Sequence, residues 1–336
     1  MNTILITGGL GYIGSHTAAE LSSPSTRIIL YDNLANSEES IFNDLKRIIS
    51  SELIFINGDI LDTQKIINII KQYKVNNVIH FAGLKSVPES NINPITYYKN
   101  NIAGTISLIE AMNFCNIKRL VFSSSASIYG QPKYHPIDEM HEANPESSYA
   151  FSKLFIEEFL ADLCNKDKSW SIIALRYFNP AGSHSSCLIG ESPKKNPSNL
   201  IPAISYVALE KIDKLSIYGN NYPTKDGTGV RDFIHVTDLA LGHISALEFL
   251  SNSPCGFNIF NLGSGIGYSV MEVIKIYEEI LGKKINSVFK KRRDGDIASS
   301  IANPKQANKI LGWKASIGIE QICKSEWSWQ SKRFSK

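Results

Sequence analysis

The sequence predicts an α/β fold, a doubly wound parallel sheet carrying a smaller C-terminal α/β lobe. Three observations predict it. Short Ile/Val/Leu-rich runs recur through the first half, at 4–6, 27–31, 53–56, 78–81, 120–122 and 172–175. Runs apolar throughout suit strands buried on both faces. Longer amphipathic stretches, such as 15–21 and 63–73, separate them, and crossovers of that length imply parallel pairing with helices on both sides of the sheet. After Asn179 the pattern changes: 180–199 is rich in Ser, Pro, Gly and Asn and reads as an extended loop.

The smaller lobe follows, with turn signals at Tyr218-Gly219-Asn220, Gly227-Thr228-Gly229 and Gly263-Ser264-Gly265. The chain is expected to return to the first lobe between about 233 and 265. The division is therefore discontinuous: 1–178 with about 233–265, then about 179–232 with 266–336.

Composition narrows the function. The chain has 336 residues, long enough for a large core without disulfides. Net charge is +3, from 35 basic and 32 acidic residues, too balanced to point to nucleic acid or a membrane surface. Five cysteines (Cys115, Cys164, Cys187, Cys255, Cys323) form no C-x-x-C pair. That pattern suits reduced, mostly buried thiols and no metal site. The start runs straight into a glycine motif and reads as a first strand, so a cytoplasmic protein is expected.

That motif is Thr7-Gly8-Gly9-Leu10-Gly11-Tyr12-Ile13-Gly14. It satisfies both Gly-x-Gly-x-x-Gly and Gly-x-x-Gly-x-x-Gly, between a strand and a helix. Glycine is needed for the tight turn, for approach of a pyrophosphate and for close helix–strand packing. The helix N-terminus then offers free N–H groups to phosphate. Asp32 ends the second strand, where a carboxylate accepts from a ribose 2′-OH and repels a 2′-phosphate, favouring NAD over NADP. Asp59 and Ile60, after the third run, are read as adenine contacts. The fold is thereby of Rossmann type.

Tyr149 and Lys153 form a Tyr-x-x-x-Lys at the start of a helical stretch, and residues four apart share a helical face. Free tyrosine ionises near pH 10, about three units too high for a base at neutrality. A neighbouring ammonium and an oxidised nicotinamide both favour the phenolate. Ser125 stands just past the strand at 120–122, where side chains face the ligand crevice. Its hydroxyl can relay the proton. Phe151, inside the motif, is read as a packing residue.

Further motifs occur in order: His80-Phe81-Ala82-Gly83-Leu84-Lys85, the serine-rich 123–130, Leu175-Arg176-Tyr177-Phe178-Asn179-Pro180, and Asp226 through Asp232. Together with those above, the series resembles the extended short-chain dehydrogenase/reductase group, and in detail the UDP-glucose 4-epimerase family, from the first strand to Trp329. The resemblance implies Ser125, Tyr149 and Lys153 as the catalytic set. It implies NAD contacts at Gly8, Gly11, Tyr12, Ile13, Gly14, Asp32, Asn33, Asp59, Ile60, Phe81, Ala82, Gly83, Lys85, Asn100, Ser123, Tyr149, Lys153 and Tyr177. It implies UDP-sugar contacts at Ser125, Asn179, Asn199, Leu200, Tyr218, Arg231, Arg293, Asp296 and Ser300. Arginines suit a diphosphate, and Tyr218 suits stacking on a base. The implied reaction interconverts UDP-galactose and UDP-glucose through a 4-keto sugar, in galactose metabolism. A homodimer through the helices at 97–114 and 152–163 is also implied.

In some relatives the residue matching Ser300 is a bulky Tyr walling the hexose pocket. Serine opens volume there, so UDP-N-acetylhexosamines are expected as further substrates. Two alternatives stand beside this reading. One is a nucleotide-sugar 4,6-dehydratase or decarboxylase, although the dehydratase usually carries an Asp-Glu pair where Ala126 and Ser127 follow Ser125. The other is a non-catalytic NAD-binding regulatory protein on the same fold.

Overall fold

The structure is a computed structural model describing residues 2–194, 197–252, 256–293 and 295–335; Cys255 lies outside them. Strand and helix alternate through β1 (Asn2–Thr7), α1 (Tyr12–Glu20), β2 (Thr26–Asp32), α2 (Ser40–Leu45), β3 (Glu52–Asn57), α3 (Thr63–Tyr73) and β4 (Asn77–His80). Next come α4 (Val87–Ile92), α5 (Pro94–Tyr97), a π-helical turn (Tyr98–Ala103), α6 (Gly104–Phe114), β5 (Arg119–Ser123), a 3-10 turn (Ala126–Tyr129), α7 (Ser148–Lys166) and β6 (Ser171–Tyr177). The remainder comprises β7 (Asn179–Ala181), α8 (Leu200–Ala208), β8 (Leu215–Tyr218), β9 (Val230–His235), α9 (Val236–Asn252), β10 (Gly256–Leu262), β11 (Gly267–Ser269), α10 (Val270–Leu281), β12 (Ser287–Lys290), β13 (Ser299–Ser300), α11 (Lys305–Ile310) and α12 (Ile319–Phe334).

The predicted doubly wound sheet is present. Seven strands run in the order β10-β6-β5-β4-β1-β2-β3, paired parallel throughout. Alternation along β1 explains the two helical layers. Ile4 and Ile6 enter one core with Leu239 and Ala246 of α9, and Leu5 enters the other with Ile66 of α3, Leu108 of α6 and Ile156 of α7. A strand sealed on both faces is apolar at most positions, which is why the first half reads as near-continuous hydrophobic runs. Strand order reverses between β1 and β4, and the crevice at that switch point lies beyond their carboxyl ends.

The second lobe has its own core, where α8, α10 and α12 contribute Ile204, Ile274 and Ile322. Its sheet is β11-β9-β13 with β7 also on β9, and β8 pairs β12.

Four local expectations are corrected. The stretch 180–199 is not all loop: β7 opens it, and Ser183 bridges Gly190. The chain does not return to the first sheet at 233, because β9 pairs in the second; α9 and β10 make the return, β10 docking along β6 from Gly256↔Ser171 to Leu262↔Tyr177. The stretch 97–114 is interrupted by the π-helical turn, within which Asn101 is buried. Phe151 is 50% exposed, with its ring edge toward Tyr98, so it packs only partly.

Candidate active site

The glycine turn is shaped by contacts that leave no room for side chains. Gly8 sits at φ +68°, and a Cβ there would lie 2.7 Å from the Ala82 nitrogen. A Cβ on Gly14 would lie 2.4 Å from the Gly8 carbonyl. Gly11 caps α1 with no side-chain hydrogen bond, so the N–H groups of the first turn, Tyr12 and Ile13 included, are left uncapped by any side chain of the cap residue. Tyr12 is anchored across the lobes by donating to the Gly182 carbonyl at 2.5 Å.

Asp32 is buried at the end of β2. Its carboxylate accepts from the Leu10 N–H at 3.1 Å, the Leu34 N–H at 2.9 Å and the Ser37 hydroxyl at 2.8 Å. Asn33 donates to Asp59 at 3.1 Å, and Tyr31 donates to the Asp59 carbonyl at 2.7 Å, joining the β2 and β3 ends. Ile60 is buried beside Gly104. A cradle that a Cβ would fill, an uncapped helix start and a fixed carboxylate together fit a dinucleotide with free ribose hydroxyls.

At the other end of the crevice, Phe81, Ala82 and Gly83 follow β4, and Phe81 packs on His243 with centroids 4.7 Å apart. Lys153, buried one helical turn beyond Tyr149, donates from Nζ to the Ser123 carbonyl at 2.8 Å. Burial pulls its ammonium down to about 8, opposed by Glu157. Ser123 donates to the Tyr177 hydroxyl at 3.2 Å. Burial first, then Tyr177, pushes the Tyr149 phenol well above its ordinary value, while a hydrogen bond with Ser125 pulls it back. Ser125 caps the 3-10 turn, 2.9 Å from the Ser127 hydroxyl. Ser125, Tyr149 and Lys153 are thus gathered at the ends of β5 and the start of α7. Asn100 is half-buried in the π-helical turn.

The second lobe supplies the other candidates. Asn179 is on β7, and Asn199 precedes Leu200 at the start of α8. Arg231 on β9 lies 3.8 Å from Asp296 and pairs in register with Ser300, which is buried on β13. Arg293 stacks on Tyr218 at 3.7 Å, covering a face that the sequence reading left for a base.

The UDP-glucose 4-epimerase of Bacillus subtilis (strain 168) is 48% identical over 332 residues, 99% of this chain and 98% of its own. That of Homo sapiens is 46% identical over 339 residues, 99% of this chain and 97% of its own. The chain belongs to the UDP-glucose 4-epimerase family. A broader family model, described as GDP-mannose 4,6 dehydratase, matches residues 5–326. The crystal structure of the UDP-glucose 4-epimerase from Stenotrophomonas maltophila, with bound NAD and formylated UDP-arabinopyranose, matches with a TM-score of 0.97 at 40% identity, covering 100% of this chain and 99% of that one. The Bifidobacterium longum enzyme in complex with NAD+ and UDP matches at 0.95 and 43% identity, covering 98% of each.

Sequence reasoning missed three parts of this epimerase-family site. Beneath the serine loop, Ser124 donates to buried Glu157, which Arg176 grips through Nε at 3.1 Å to both oxygens; Arg176 also donates to Tyr129 at 3.0 Å, and Tyr129 to Asn261 at 2.7 Å. Asn101 ties the loop after β4 to α7, donating to the Leu84 carbonyl and to Ser152, each at 3.1 Å. Glu191 joins Lys85 at 3.3 Å to Asn199 at 2.8 Å. Glu157 falls four residues after Lys153, a spacing that could have flagged it.

Proposed function

We propose that this chain interconverts UDP-galactose and UDP-glucose, inverting the C4 hydroxyl through a 4-keto intermediate. The observation that carries the reading is the meeting of a buried Tyr149, Lys153 and Ser125 at the mouth of a dinucleotide cradle, in a chain 48% identical to a UDP-glucose 4-epimerase along nearly its whole length. The glycine turn and α1 would hold the NAD diphosphate, Asp32 and Asn33 a ribose, Asp59 and Ile60 the adenine. Residues 81–83, Lys85, Asn100, Ser123 and Tyr177 would hold the nicotinamide end. When bound, NAD supplies a cationic ring and a hydride acceptor that gives the hydride back.

Tyr149 takes the proton from the 4-OH, and Ser125 bridges the two oxygens. The Lys153 ammonium favours the phenolate that burial alone opposes. Asn179, Asn199, Leu200, Tyr218, Arg231, Arg293 and Asp296 grip the UDP, leaving the hexose loosely held. Binding at the nucleotide end thereby retains a keto sugar that turns over about its diphosphate. Ala126 and Ser127 carry no carboxyl for the proton abstraction that dehydration requires. In this reading 1–178 with α9 and β10 bind NAD, and about 179–235 with 266–336 bind the UDP-sugar. Ser300, small and buried beside Arg231, presents no ring to wall off a 2-N-acetyl group, so the reading includes N-acetylated substrates.

The same reading gives a cytoplasmic homodimer. Among the described residues no helix is long and apolar enough to cross a membrane. Phe151 and Phe155, four apart on α7, are 50% and 42% exposed, as an unpaired helix face would be. Sedimentation should give twice the 37.3 kDa chain mass; a monomer overturns this part.

Product analysis tests the function. Purified protein without added NAD is incubated with UDP-galactose and, separately, with UDP-N-acetylgalactosamine. Both should yield their gluco epimers, with the ratio reporting on the Ser300 wall. Tyr149→Phe should slow turnover by about 10²–10⁴-fold while NAD stays bound. No conversion of either substrate, even with NAD supplied, overturns the reading.

A further inference from the structure

We infer that Glu191 is a positioning residue that holds the dinucleotide crevice closed and links it to the nucleotide-sugar side. This rests on the reading that the crevice holds NAD. Glu191 belongs to none of the recognised motifs and lies in the segment that looked like plain loop. Its side chain is nearly buried, and one oxygen, Oε1, accepts from Lys85 Nζ at 3.3 Å and from Asn199 Nδ2 at 2.8 Å. Lys85 belongs to the loop after β4. Asn199 starts α8 yet makes no side-chain cap bond to that helix, because its amide is turned to Glu191 instead.

The backbone of the same residue is fixed from beneath. Trp329 Nε1 and Gln330 Nε2 of α12 donate to the Glu191 carbonyl at 3.2 and 2.9 Å. Gly190 before it lies so flat on the Trp329 ring that a Cβ would come within 2.5 Å. Three residues further on, Lys194 Nζ donates to the carbonyls of Leu34 at 2.8 Å and Ala35 at 3.0 Å, in the loop that follows Asp32. The β2 and β4 loops flank β1 on its two sides. A short segment anchored on the second lobe therefore reaches both walls of the crevice. A dinucleotide leaving the crevice must part those walls, and so must break these contacts.

The test measures cofactor loss rather than turnover. Protein loaded with NAD is passed through gel filtration at intervals, and retained dinucleotide is read by absorbance after acid release. Glu191→Gln keeps the shape but removes the charge; it should release NAD roughly tenfold faster than wild type. Lys194→Ala changes an exposed side chain, and should release NAD roughly threefold faster. In the loaded enzyme, Glu191→Gln should raise KM for UDP-galactose about threefold with kcat within about twofold, a split that general loosening would not give. Release as slow in both variants as in wild type overturns the inference alone. A wild-type protein that binds no NAD when supplied with it overturns the cofactor reading and this inference together.

Discussion

On the cofactor side of the crevice, polar groups are already committed to fixed partners. Asp32 accepts three hydrogen bonds and Lys153 is seated on the Ser123 carbonyl. On the nucleotide-sugar side, the cations rest on their own neighbours. Arg293 lies 3.7 Å over Tyr218, Arg292 lies 3.9 Å over Tyr222, and Arg231 stands 3.8 Å from Asp296. The first arrangement is preorganised and costs little reorganisation when a ligand arrives. In the proposed reading, the second must open before a diphosphate can be gripped. Rigidity is placed where a ligand should stay, and rearrangement where one must come and go.

The sharpest way to break that contrast is to fill the rigid side. In Gly14→Ala the new Cβ would meet the Gly8 carbonyl at 2.4 Å, and that neighbour is backbone, with no flexible end to move aside. Either the turn or the α1 axis must shift. NAD affinity should fall by about 100-fold or more, equivalent to roughly 3 kcal/mol. Titration of stripped protein with NAD measures it. An unchanged affinity would mean that the cradle is softer than its contacts indicate.

A second prediction probes the seam between the two sides. Glu326 on α12 is fully buried, and burial, then Glu191, pushes its carboxyl up to about 8, with Gln330 and Arg333 opposing. The folded state therefore holds this proton more tightly than the unfolded chain does. Its contribution to stability is complete below the unfolded pKa near 4.5 and drains away as pH rises towards about 8. Glu326→Gln imitates the protonated form at every pH. Its stability relative to wild type should climb between pH 5 and pH 9, by something on the order of 2 kcal/mol. Urea unfolding of both proteins across that range checks it, and the difference cancels the histidines they share.

What could be read from the chain divides along physical lines. Local periodicity marked six of the seven strands of the main sheet, all but β10, because burial on both faces leaves a mark on successive residues. The glycine turn and the Tyr149–Lys153 pair were readable because steric and helical spacing rules act over a few residues. The network that joins Glu157, Arg176, Tyr129 and Asn261 was not, since its hydrogen bonds join residues up to 132 positions apart, and only the spacing of Glu157 from Lys153 left a local mark. Nothing in the local pattern around Glu191 announces a carboxylate shared between Lys85 and Asn199. The short pairing of β13 with β9, which sets Ser300 beside Arg231, spans two residues and leaves no periodic trace.

The smallest expected effect is on the nucleotide-sugar side, at Arg293. Its guanidinium is exposed and stacked on Tyr218. A cation–π contact at an exposed site contributes about 0.5–1 kcal/mol. That contact must be given up before the guanidinium can meet a diphosphate, and a charge-assisted hydrogen bond returns about 1.5–3 kcal/mol. The surplus is on the order of 1 kcal/mol. Arg293→Ala should therefore raise KM for UDP-galactose about fivefold, with kcat within about twofold and NAD retention unchanged. Steady-state kinetics beside a gel-filtration retention assay separates the two sides. A parallel loss of NAD would mean that the substrate cations also hold the cofactor walls, and the division between a fixed half and a rearranging half would fail.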